Sequence, residues 1–268
     1  MTPNPEQESR SNPGSPGQSG APPQPESRLA ASLLGFGPVG ILTGLVILLG
    51  GDIGALLALP WARATRTPWR ELGLARPRSW LRTVAVGIVF GCALKFLLKA
   101  IVMPLLAAAP VNAAYHYLVG NRAALPGMIF TVLVSAGLGE EIRFRGFLFE
   151  RLGRLFGRGA VAKAAIVVLS AGLFALAHYP DQGRDGAVQG AITGLVFGTT
   201  FAFTGELWLL MIAHAAFDLT AVWIIYNDRE TRIAPLVFKS RRAGARGPPG
   251  AERLAVFSAS APGPGRRP

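Results

Sequence analysis

The chain has 268 residues, of which 50% are hydrophobic and only 16% charged, and its mean hydropathy is +0.37 even with two polar tails included. Its apolar runs approach the roughly 20 residues that cross a bilayer, and they are continuous rather than alternating, which excludes a soluble globule and a β-barrel. The net charge of +12 does not indicate nucleic acid, because the basic residues gather at junctions between apolar segments.

Residues 1–27 are rich in Pro, Gly, Ser and Gln, a composition that cannot build a core and is expected to form a disordered tail. This stretch lacks the basic start and early apolar run of a signal peptide. Residues 33–226 read as one membrane-embedded domain of about six spans, and residues 229–268 as a basic tail rich in Pro and Gly. The expected fold is therefore all-α, a polytopic transmembrane helix bundle.

The first span is expected over 33–59, ended by Pro60, with a break at Gly50-Gly51-Asp52. Arg63, Arg66, Arg70, Arg76, Arg78 and Arg82 follow it. The second span covers 80–106. Its Lys95 and Lys99 stand four apart on one face and are expected to reach towards an interface, which is what long basic side chains do in membranes. Cys92 is the single cysteine, so there is no internal disulfide and no cysteine-based zinc site. Tyr115, His116 and Tyr117 form an interfacial cluster in the linker that follows.

The third span starts at Pro126 and carries Glu140-Glu141. A second basic junction follows, with Arg143, Arg145, Arg151, Arg154, Arg158 and Lys163. The fourth span is expected over 160–179, stopped by Pro180. The fifth covers 187–203, where Gly190, Gly194 and Gly198 make a small-residue stripe for close helix packing. The sixth covers 207–226. If both basic junctions face the cytoplasm, six spans put the tails outside, whereas the basic residues Arg232, Lys239, Arg241 and Arg242 favour the inside for the C-terminal tail.

Ionisable residues inside a membrane are costly and mark functional sites by default. Three spans carry them here. Glu141 and Arg145 are four apart, as are Phe174 and His178, and His214 and Asp218, so each pair shares one helix face. At about 1.5 Å per residue, Glu140 lies roughly 20 Å and His178 roughly 27 Å above the junction between their spans, at similar depth. A carboxylate base and imidazoles in a low-dielectric cavity can activate water and stabilise an oxyanion. Taken singly, a Glu–Arg pair is commonly an ion pair and a membrane histidine a packing residue. Three such constellations on successive spans are better explained as one site.

Together these motifs, Glu140-Glu141-x-x-x-Arg145, Phe174-x-x-x-His178 and His214-x-x-x-Asp218, resemble those of the CPBP intramembrane proteases, which include type II CAAX prenyl endopeptidases and relatives linked to bacteriocin processing and immunity. The stretch 71–80 resembles the polar segment before that family's core, so the likeness covers 71–226. The resemblance implies a multi-pass protein of the cell membrane that hydrolyses a peptide bond near the membrane surface. Its partners would be membrane lipids and a peptide or membrane-protein substrate, with no nucleic acid. It implies that Glu140 and His178 activate water, that His214 and Asp218 orient or stabilise the oxyanion, and that Glu141 and Arg145, with Phe174, support the site. The family often has Asn where this chain has Asp218. Its members are named both metalloproteases and glutamate-dependent proteases. Glu140, His178, His214 and Asp218 have the donor chemistry for a divalent metal such as zinc, but there is no HExxH, and spacing leaves zinc and a metal-free glutamate mechanism both open. The alternative of another class is a catalytically silent membrane adaptor or immunity-type protein. A proton-relaying transporter is a third reading, disfavoured by the short chain and the lack of an inverted repeat.

Overall fold

The computed structural model describes residues 28–233, and every regular element among them is helical. The terminal stretches expected as tails lie outside the described residues, apart from Arg229–Ile233. The helices are α1 (Arg28–Leu34), α2 (Pro38–Leu49), α3 (Gly51–Ala64), α4 (Trp80–Leu105), α5 (Leu125–Phe156), α6 (Ala160–Thr204), α7 (Leu207–Tyr226) and α8 (Glu230–Ile233).

Among the described residues, α4 to α7 are each long and apolar enough to cross a membrane. The pair α1 and α2, bent by 61°, is a fifth candidate span. The expected single span over 33–59 is divided into α2 and α3, because Gly50 and Gly51 break the helix and Gly51 takes φ 58°, a conformation glycine adopts without strain. Pro60 does not end this region. It sits inside α3, whose last turn is anchored by buried Trp61, edge-on to Phe147 at 4.8 Å and donating its indole N–H to the Leu33 carbonyl.

Helix α6 holds both the fourth and the fifth expected spans. It runs through Pro180 and turns at Gly183, whose φ of 62° and ψ of −157° lie in a region open essentially to glycine alone. Its two legs, 160–182 and 184–204, fold back on each other. Gly190 lies against Ala175, Gly194 against Ala171 and Gly198 against Val167, an antiparallel register along the predicted glycine stripe. Each leg is roughly 30 Å long, the thickness of a bilayer core. The hairpin therefore accounts for two of the expected crossings, as two helical legs broken at Gly183.

Helix α7 is the most buried of the four long helices. Helix α4 approaches it through glycines. A methyl group on Gly91 would lie 2.0 Å from the Ala213 carbonyl oxygen, and one on Gly87 would lie 2.8 Å from Ile212 Cγ2. Where no hydrophobic force separates helix from lipid, such backbone proximity is the main source of packing energy. The core between α4, α6 and α7 includes Leu94, Leu98, Phe197, Leu210 and Phe217. Outward faces carry large apolar residues, among them Leu42, Ile53, Leu81, Val161 and Phe203, as a lipid-facing surface requires.

The two ends of the bundle differ in charge. At one end Leu207 N–H donates to the Gly73 carbonyl, Trp208 to the Leu74 carbonyl, and Arg154 and Arg158 reach Glu71. Both basic junctions thus meet at the same end. At the other end Gly120 N–H donates to the Tyr226 carbonyl, Ala109 N–H to Asp185, and Lys99 pairs with Glu230 at 2.6 Å. Not every basic residue of the second junction faces lipid headgroups. Arg145 and Arg151 are buried, and half-buried Arg143 donates to the carbonyls of Leu48 and Gly139. Nor do the two lysines of α4 reach out to lipid, since Lys95 is buried and Lys99 is held by Glu230.

Gly91→Ala is expected to force α4 away from α7, because the added carbon meets backbone that cannot rotate aside. The cost should be about 1–3 kcal/mol, read as a lowered midpoint of thermal unfolding in detergent. An unchanged midpoint would show that the two helices are not this close.

Candidate active site

The site is built on α5, the first leg of α6, and α7. Along α5 two π-helical stretches, Thr131–Glu140 and Ile142–Phe147, meet at Glu141. Widened helical turns of this kind recur at functional sites, where they re-aim side chains. Glu141 and Arg145 are both fully buried and joined at 3.0 Å. The same oxygen, Glu141 Oε1, lies 2.7 Å from His214 Nδ1 on α7. The guanidinium of Arg145 lies 4.4 Å from the centre of the Phe174 ring and 5.7 Å from that of Phe197, so aromatic faces supplement its single ion pair.

Glu140 and Asp218 lie beside the other nitrogen of His214. Nε2 is 3.5 Å from Asp218 Oδ2 and 3.8 Å from Glu140 Oε2. Both separations exceed a good hydrogen bond. Glu140 Oε2 is buried and has no hydrogen-bond partner among the described residues. Burying such an oxygen is costly, so a group placed to meet it is the expected complement.

His178 stands on α6 with Nδ1 2.8 Å from the Phe174 carbonyl oxygen. A carbonyl can only accept, so Nδ1 carries a proton, and in the neutral ring Nε2 is the free base. The Phe174 ring centre is 4.5 Å from that of His178 and 6.0 Å from that of His214, so Phe174 separates and supports both imidazoles. Ser170 Oγ donates to the Phe144 carbonyl and fixes α6 against α5. From the second leg, Gly190 leaves space for the His178 ring, whose Cγ would be 3.4 Å from a methyl group there. The structure therefore brings Glu140, Glu141, Arg145, His214 and Asp218 into one cluster, with His178 joined to it through Phe174.

As a metal site these residues do not fit. Among the described residues, no group of three or more His, Cys, Asp or Glu side chains is arranged to hold a metal ion. The Nδ1 bonds of His214 and His178 leave both Nε2 atoms free, as in metal-ligating imidazoles, so it is the placement of the side chains and not their donor chemistry that fails the fit. No chemical step below is routed through a metal.

Sequence reasoning missed three contributors. Tyr115, read as interfacial, is half-buried and accepts a hydrogen bond from Gln182 at 3.3 Å. Burial, reinforced by the charges of Asp218 and Glu140, pushes its hydroxyl above the usual tyrosine range, so it keeps its proton. Asp52 of α3 accepts a hydrogen bond from Ser135 of α5 at 2.9 Å. Phe197, with its ring centre 5.5 Å from that of His214, forms the floor from the second leg of α6. None of these has a spacing signal, because each acts across helices distant in sequence.

A cavity of about 1620 Å³ opens at the end of the bundle that carries Asp185 and Glu230. Lys95, Gln189 and Ala221 line it, while none of the motif residues does. It adjoins the cluster rather than containing it. Gln189 is next in sequence to Gly190, which touches His178, and the Lys95 ammonium lies 4.6 Å from the ring centre of Phe217, the neighbour of Asp218.

A bundle of membrane-length helices around a buried cluster of carboxylates and imidazoles defines a polytopic membrane protein with an intramembrane polar site. Residues 122–220, which include every motif residue, match the family model described as Type II CAAX prenyl endopeptidase Rce1-like. Over that stretch the chain is similar to this family. No curated protein and no solved structure matches the chain.

Arg145→Ala is expected to lower folded yield and stability, by about 3–5 kcal/mol, since it leaves the Glu141 charge buried and without its cation. Thermal unfolding in detergent checks this. Combining it with Glu141→Gln should cost less than the sum of the single changes, the mark of two residues acting as a unit.

Proposed function

We propose that the chain is a CAAX-type endopeptidase of the cell membrane, hydrolysing a peptide bond near the membrane surface by a metal-free glutamate mechanism. Glu140 is the general base and takes a proton from water, with the free nitrogen of His178 as the second acceptor. The resulting hydroxide attacks the scissile carbonyl carbon. The carbonyl π bond breaks, and its electron pair goes to oxygen.

His214 serves that oxyanion. Its Nδ1–H donates to Glu141, and Asp218 and Glu140 lie beside Nε2. With a proton also on Nε2, the ring donates a hydrogen bond to the oxyanion. Glu140 then returns its proton to the leaving amine as the C–N bond breaks. Glu141 and Arg145 keep His214 oriented and take no part in bond changes. Asp218 orients His214 through a hydrogen bond that forms as the present 3.5 Å separation shortens on substrate binding.

The observation that carries this reading is the convergence of a buried, unpartnered Glu140 oxygen and His214 Nε2 at 3.8 Å. That spacing is too long for a direct bond and suits a reacting atom between them.

Glu140→Gln should abolish proteolysis, with a loss of at least about 100-fold, while expression and membrane insertion persist. The assay is hydrolysis of a membrane peptide substrate by protein reconstituted in vesicles, and a near wild-type rate would refute the assignment. Asp218→Asn should reduce activity by less than about tenfold, since an amide can keep a hydrogen bond, and the remaining activity should resist chelators. An amide is a poor zinc ligand. A dead Asp218→Asn that has lost stoichiometric zinc, alongside a chelator-sensitive wild type, would overturn the metal-free mechanism.

A further inference from the structure

Lys95 is a buried cation in the middle of the bundle, and among the described residues no carboxylate lies within ion-pair distance of it. It is 7% exposed. Its ammonium donates to Gln189 Oε1 at 3.2 Å and rests over the Phe217 ring at 4.6 Å. Asp218 and Glu230, whose charges act on it, form no ion pair with it, and Glu230 is taken up by Lys99 and the Asn112 N–H. An ammonium in such a place is expensive unless something negative meets it. Snorkelling does not account for it, because the side chain lies inside the bundle and lines the 1620 Å³ cavity.

The place of Lys95 in the cavity matters. Of the other charged lining residues, Asp181 and Arg184 are exposed to solvent, and the buried or half-buried ones are engaged. Lys99 is bonded to Glu230 and to the Pro110 carbonyl, and Asp185 caps the Ala109 N–H. Apolar residues such as Met103, Leu105, Val111 and Ile224 line the rest. The two contacts of Lys95, Gln189 and Phe217, are the immediate chain neighbours of Gly190 against His178 and of Asp218.

We propose that Lys95 is a specificity-determining residue that binds a carboxylate of the peptide substrate, with the adjoining apolar cavity receiving the side chains around it. The proposal rests on the endopeptidase reading of the neighbouring site. The carboxylate can be the chain terminus or an acidic side chain, since both offer two oxygens to the ammonium and to the Gln189 amide.

The test measures binding, not turnover, so that it stands apart from the catalytic assignment. Full-length protein carrying Glu140→Gln is placed in phosphatidylcholine nanodiscs, and an N-terminally fluorescent Ala-Ala-Val-Leu peptide is titrated as the free acid and as the C-terminal amide. A second pair, both amidated, carries Asp or Asn at the third position. We expect one acidic peptide to bind about tenfold more tightly than its neutral counterpart. A terminal carboxylate is the ligand if the first pair shows the difference, and a side-chain carboxylate if the second does. The ratio should fall to about one in Lys95→Met and persist in Lys95→Arg. Lys95→Gln serves as a second charge-removing variant, and the wild-type ratio depends on neither variant folding. Equal binding within both pairs, no binding of any peptide, or a preference that survives loss of Lys95 would overturn the proposal, even if Glu140 proved to be the base.

Discussion

One carboxylate oxygen organises the middle of this molecule. Glu141 Oε1 receives both Arg145, from its own helix, and His214, from α7. In a medium where an uncompensated charge is prohibitive, these groups must stay together, and the helices that carry them must keep one rotation and one depth. The Phe174 and Phe197 rings against Arg145 and His214 bring both legs of α6 into the same arrangement. The polar cluster is thus the register mark of the bundle as well as its candidate active site.

The remaining architecture permits that cluster to form. Glycines on α4 and on the second leg of α6 let backbones approach so closely that a side chain would collide, which supplies packing where lipid is as apolar as the protein. Gly183 reverses the chain so that His178, near the end of one leg, lies against Gly190 of the other. The same turn places Asp185 and Gln189 along a cavity beside the cluster, so one glycine shapes both the histidine's surroundings and the lining of the space next to it.

Much of the fold was legible because a bilayer leaves few choices. Every backbone polar group must be satisfied within its own segment, so a long apolar run is a helix. The expected breaks at Gly50-Gly51 and the packing stripe on Gly190, Gly194 and Gly198 both correspond to features of the structure. Proline was the poorer guide. Pro60 was expected to end a span and instead lies within α3, because losing one backbone donor is tolerated when a neighbouring side chain such as Trp61 holds the next turn, whereas Pro180 stands three residues before the break at Gly183.

The sequence by itself determined the class of fold, and the residue types of the candidate site and their order, since i,i+4 spacing and the membrane's cost for charge are local properties readable along one helix. It could not determine which charges meet. Arg145 and Arg154 belong to one basic stretch, yet one is sealed within the bundle and the other reaches Glu71 at its charged end. Lys95 and Lys99 share a helix face, yet only Lys99 finds a carboxylate. Tyr115 and Asp52 gained their neighbours from helices far away in the chain. Those pairings follow from how helices rotate and approach one another, and that is set by backbone contact at glycines and by charge neutralisation across the whole bundle, which no single segment encodes.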